Sequence, residues 1–90
     1  MRSIEKKFME IIAEIQAATK LEVELSFAIS NRLDFLMQKK GLSKKQLADA
    51  IGKRPNEITL WLSGEHNFTI STLAMLSTFF GEPIIEIPNT

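Results

Sequence analysis

Apolar residues in the first twenty positions recur in alternating steps of four and three: Ile4, Phe8, Ile11, Ile15 and Ala18. Ile12 widens that stripe, while Glu5, Lys6, Glu10 and Glu14 lie off it. This is the period of an amphipathic helix, and it predicts one from Ile4 to about Thr19. Barely two heptads are covered, too few to define a coiled coil. Lys20 to Leu25 then alternates polar and apolar positions, which predicts a connector or helix-to-helix transition. A second helix follows over Ser26 to Lys39, with Ile29, Leu33, Leu36 and Met37 on its inward stripe. Lys39 and Lys40 stand in its last turn, where the helix dipole favours cations, and Gly41 ends it.

Beyond Gly41 the start and stop signals become dense. Ser43 with Gln46 three residues on is a capping box, so a helix begins at about Lys44 and runs to Ile51, with Gly52 as its left-handed stop. Pro55 suits the first position of the next helix, over 55–63, which Gly64 stops. Thr69 caps a further helix from Ile70 to Phe80, ended by Gly81 and Pro83. Ile84 to Ile87, between two prolines, is either one short strand or an extended tail. The pattern as a whole predicts an all-α chain of five helices with short connections and no internal repeats.

Composition narrows the chemistry. Ninety residues suffice for one domain but bury only a modest share of their surface, so a second copy is expected to add stability. No run approaches 18 apolar residues, which predicts no membrane span, and the charged start is no signal peptide. The absence of cysteine excludes disulfides, thiolate metal sites and thiol catalysis together. With one histidine and four scattered glycines, neither a metal cluster nor a phosphate-cradling loop can be assembled. His66 beside Glu65 suits a turn hydrogen bond or a phosphate contact. Glu22 and Glu24 stand in the connector with no nucleophile near and are a solvated pair. The expectation is a protein that is not an enzyme, holds no metal and needs no cofactor.

Charge changes the picture more. The 11 basic and 11 acidic residues cancel, yet six basic residues and only Asp49 lie between Lys39 and Arg54. From Pro55 onward there are four acids and no lysine or arginine. A focused positive patch on a neutral chain points to a polyanion at one face. The same patch lies on two short helices joined by a glycine turn, the helix-turn-helix arrangement, whose second helix enters a DNA major groove. Leu47, Ile51, Ile58 and Trp61 fall on the faces that must pack together. Ala48 is small where the helices cross, and Gly52 occupies the turn.

Here the chain resembles a known family, the lambda-repressor-like, Xre-type helix-turn-helix proteins. Leu42 to Gly52 resembles that family's first motif helix, and Ile58 to Gly64 its recognition helix and exit turn. Asn67 to Leu73 resembles the following loop and helix in a subgroup that includes HigA-like antitoxins. The likeness covers residues 25–82. It implies a division into an amphipathic helix and connector (1–24), a helix-turn-helix DNA-binding domain (25–82) and an extended tail (83–90). By position, it implies base reading by Arg54, Asn56 and Thr59, and backbone phosphate contacts by Lys44, Ser63 and Asn67. Arginine pairs with guanine, asparagine with adenine, and threonine offers both a hydroxyl and a methyl. Lys45 and Lys53 add phosphate attraction.

The chain departs from the family pattern at Lys53, Arg54 and Leu60, and carries an acid, Glu57, near the groove. Lys53 stands where an apolar residue is usual, so its stem lies over the turn with its charge toward DNA. Arg54 replaces a serine or threonine cap, exchanging capping for a DNA contact. Leu60 meets a thymine methyl or packs. Glu57 either reads a cytosine or caps locally, the local role being favoured. Helix 70–80 is apolar on more than one face, which marks Met75, Phe79, Ile84 and Ile85 as candidates for a partner surface. The combined expectation is a cytoplasmic, dimeric transcriptional repressor on double-stranded DNA. The subgroup likeness adds a toxin protein as a further partner. The alternative reading is a protein-interaction module that binds through helix 4–18, with the helix-turn-helix as scaffold.

Overall fold

The computed structural model describes residues 2–88, and it has four helices where the sequence pattern predicts five. The first two predicted helices are one continuous element, α1 (Arg2–Lys40), of 39 residues. At 1.5 Å per residue such a helix is about 58 Å long; the molecule's longest dimension is 60 Å. The expected connector at Lys20–Leu25 is helical because its alternation is only six residues long and holds no glycine or proline. Lysine, leucine and glutamate are good helix formers. Wound into a helix, Leu21 stacks over Leu25, and Lys20 lies 3.9 Å from Glu24 one turn on.

Gly41 stops α1 as expected. It adopts a left-handed φ of 67°, and the Leu42 N–H donates to the Met37 carbonyl at 2.9 Å, closing the last turn. Then come α2 (Lys44–Ile51), α3 (Pro55–Trp61) and α4 (Ile70–Phe80). The third ends two residues before the predicted boundary, Leu62 being its cap. The core is built from one face of each helix: Leu33, Leu36 and Met37, then Leu47 and Ala48, then Ile58 and Trp61, then Leu76 and Phe80.

The C-terminal segment decides one open alternative and corrects one expectation. Among the described residues there is no strand at Ile84–Ile87, since a lone four-residue segment has no neighbour to pair with. It is an extended tail, strapped back onto the helices. Ile84 turns into the core, and its N–H donates to the Ser77 hydroxyl at 3.0 Å. Met75 packs against the same core. Thus Ile84, expected on a partner surface, belongs to the interior, and Met75, expected there too, is half-buried against it. Ile85 remains exposed, as does Phe79, whose ring stands edge-on to Phe80 at 5.1 Å.

Glu82 holds this strap on α1. Its carboxylate lies 2.8 Å from Lys39 Nζ and 3.7 Å from Arg32, and Arg32 Nε donates to the Pro83 carbonyl at 3.0 Å. The Lys39 hydrogen bond, with further attraction from Arg32 and Lys40, keeps the Glu82 carboxyl below the ordinary glutamate range.

Candidate nucleic-acid interface

The site is built from α2, the turn and α3. Ser43 and Gln46 form a reciprocal capping box: the Gln46 N–H donates to the Ser43 hydroxyl at 3.1 Å, and the Ser43 N–H to the Gln46 side chain at 2.8 Å. At the other end of α2, Gly52 has a φ of 71° and caps Ala48, whose carbonyl also accepts from Lys53 N–H at 2.9 Å. Nothing lies within 4 Å of where a Gly52 side chain would begin. The glycine is therefore required by backbone conformation alone, not by space. Leu47, Ala48, Ile58 and Trp61 are all buried where α2 and α3 meet the rest of the core.

With Ile58 and Trp61 turned inward, the 100° step of the helix turns Asn56, Thr59 and Leu60 outward together. All three are exposed, and Leu60 keeps 49% of its surface open beside two polar residues. The Thr59 hydroxyl donates to the Pro55 carbonyl at 3.3 Å, leaving its lone pairs and methyl on the outer surface. Arg54 precedes α3 with extended backbone, and its guanidinium, which has no acceptor, cannot cap. Glu57 does half of that work: its carboxylate accepts from the Arg54 N–H at 3.3 Å, the local role favoured from the sequence.

Lys44, Lys45, Lys53 and Arg54 are exposed, and among the described residues none forms an ion pair. Lys39 belongs to the tail strap instead, so the positive patch centres on α2 and the turn. The two remaining phosphate candidates are placed differently. Ser63 Oγ donates to the Leu60 carbonyl at 2.6 Å and accepts from Glu65 N–H at 3.1 Å, so its hydroxyl is engaged in the exit turn. Asn67 is exposed and lines an open groove against α1 with Leu21, Leu25 and Phe68. His66 stands edge-on to Phe68 at 4.8 Å, and among the described residues it makes no turn hydrogen bond, one of the two roles expected for it. Among the described residues no group of three metal-ligating side chains exists.

Sequence reasoning missed Ser30. This α1 residue is only 3% exposed; its hydroxyl donates to the Trp61 carbonyl at 2.6 Å and accepts from the Gly64 N–H at 3.1 Å. It thus fixes the end of α3 and the following turn to the long helix. The available signal was positional, since Ser30 stands three residues before Leu33 and seven before Met37, on the buried stripe.

Two short helices crossing at a buried alanine, a left-handed glycine turn, and a polar outward face on the second helix define a helix-turn-helix domain. The helix-turn-helix family matches residues 35–87, more than half of the chain, and the protein belongs to that family of DNA-binding transcription regulators. Comparison with curated proteins and with solved structures gave no match. No helix among the described residues is long and apolar enough to cross a membrane.

Proposed function

We propose that this regulator is a sequence-specific repressor that acts by occupying a DNA site and performs no chemistry. The observation that carries the reading is the outward face of α3. Asn56 and Thr59 stand exposed opposite buried Ile58 and Trp61, with exposed Arg54 just before the helix, beside lysines that form no ion pair among the described residues. Lys44, Lys45 and Lys53 supply encounter and phosphate attraction, and the face of α3 supplies sequence preference. Leu60 joins that face as an apolar contact for a thymine methyl. The protein acts in the cytoplasm as a homodimer, with its two recognition helices about 34–36 Å apart on a near-palindromic operator.

The experiment is fluorescence anisotropy of the protein on its own upstream DNA and on a scrambled duplex at several salt concentrations. Selective binding with a steep salt slope supports the reading; no salt-dependent binding to any duplex removes it. The antitoxin role is a second reading, favoured by the exposed tail, where Ile87 keeps 86% of its surface open beyond the buried Ile84. Co-purification of a small partner that is lost on Ile85→Asp and Ile87→Asp supports it; a toxin partner retained by both variants counts against the tail.

A further inference from the structure

The projecting half of α1 is the largest feature that DNA reading leaves unexplained. Ile4, Phe8, Ile11 and Ile15 form one stripe and remain 52–70% exposed. A lone helix in water draws most of its stability from a buried apolar face, so a stripe of isoleucine and phenylalanine this open calls for a cover. The stripe does not stop at Ala18. It continues through Leu21 and Leu25 into an open groove of about 320 Å³, closed on its far side by the exit-loop residues His66, Asn67 and Phe68.

We infer that the cover is a second copy of α1, running antiparallel. The charges choose both partner and direction. Glu22 lies on the stripe face itself, lines the groove beside Leu21 and Leu25, and forms no ion pair among the described residues. Glu65 lies nearby, across a neighbouring cleft that Glu22 also lines. Each groove is therefore apolar with acidic margins. The opposite end of the same helix, around Ile4 and Phe8, is apolar with Lys6 and Lys7 beside it and Glu10 at its margin. An antiparallel pair with its two-fold axis near Ile15 seats Ile4 and Phe8 of one copy against Leu21, Leu25 and Phe68 of the other. It also brings Lys7 to Glu22, twice by symmetry. A parallel pair would set Glu22 against Glu22 and Lys7 against Lys7.

Covering the stripe on both copies must remove at least about 1,200 Å² from water to reach the lower end of a specific interface. An anionic membrane is a poor occupant, because interfacial helices carry a basic polar face and this one carries Glu5, Glu10, Glu14 and Glu24. The inference rests on the homodimer reading above and names its surface. It also assigns the exit loop a second duty, since the turn that ends α3 borders the partner's seat.

Sedimentation equilibrium of the full chain tests it. Wild type sediments at twice 10.2 kDa. Lys7→Glu and Glu22→Lys each weaken self-association about tenfold, and the double variant restores it. Both positions are exposed, so any fall in a variant's thermal melt comes from lost self-association and is recovered in the double variant. The chain has no cysteine, so a covalent dimer reports only an introduced thiol. Ile15→Cys cross-links to itself on oxidation and Ile4→Cys does not. Equal cross-linking at both positions means a parallel pair and overturns the arrangement. A dimer indifferent to both charge reversals also overturns it while leaving the homodimer intact elsewhere. A wild-type monomer at the highest soluble concentration removes the homodimer itself, and the arm pairing with it.

Discussion

Replacing Ser30 by alanine removes one oxygen and leaves two buried backbone groups without partners, the Trp61 carbonyl and the Gly64 N–H. The pocket vacated by a hydroxyl is too small to admit a water with several polar partners. Each stranded group costs about 1–3 kcal/mol, and strain in the exit turn relieves part of that, so the expected loss is about 2–4 kcal/mol. Against a total of about 5–15 kcal/mol for a small domain, this is a large fraction from a substitution that changes no apolar contact. Urea unfolding at fixed protein concentration, because self-association would contribute, should show a lower midpoint at unchanged slope. Ser26→Ala is the control: it lies one turn earlier on α1, makes no side-chain hydrogen bond among the described residues, and should stay within about 0.5 kcal/mol of wild type. A Ser30→Ala loss no larger than that of the control would mean that α3 is held by Ile58 and Trp61 alone.

Other consequences are as direct. Gly52→Ala should destabilise by about 1–2 kcal/mol from the left-handed backbone alone, since no atom stands in the way of the methyl; a neutral result in thermal unfolding would show that the turn can relax. Glu82 has a carboxyl held below its ordinary range by Lys39 and Arg32, so it binds its proton more readily in the unfolded chain. Its contribution to stability is therefore complete above the ordinary glutamate range and is lost as pH falls through the lowered folded value. Comparing the pH dependence of wild type and Glu82→Gln isolates that acid limb, which should flatten in the variant. Asn56→Ala should cost about 1–3 kcal/mol on the operator and little on random DNA, read by anisotropy; equal losses on both would take Asn56 out of the reading face. Lys44→Ala should weaken all duplexes alike and lower the salt slope by about one.

The parts of this architecture visible in the sequence are those governed by local rules. Ser43, Gln46, Gly52, Thr69 and Gly81 mark their own helix ends, because capping and left-handed backbone are decided within a few residues. The inward stripes of α2, α3 and α4 follow from period alone. What escaped was set by tertiary context. The break expected at Lys20–Leu25 was a choice between two local patterns, and six alternating residues are too few to override helix formers on both sides. Ser30 looks like any polar residue until the exit turn of α3 arrives 31 positions later to meet it. Lys39 counts toward the basic patch by position, yet Glu82, 43 residues away, claims it. The proposed base-reading residues were accessible by name only through family resemblance; the shared outward face of Asn56 and Thr59 follows from the burial of Ile58 and Trp61.

The third helix, proposed to read DNA, is the weakest element by local measures and the most constrained by distant ones. Seven residues are well below what holds an isolated helix, its first residue is preceded by an arginine that cannot cap, and only two of its side chains are buried. It is held at both ends instead. At its start, Lys53 is tied back to Ala48 and Glu57 closes on the Arg54 N–H. At its end, Ser30 grips the Trp61 carbonyl and the Gly64 N–H from α1. Fixing a short helix through its ends leaves its sides at liberty, so Asn56, Thr59 and Leu60 need serve no packing role. This division of labour explains why polar and apolar residues can share one exposed face without loss of fold. It also ties the reading face to α1. Through Ser30, whatever holds the long helix rigid also sets the angle at which α3 is presented.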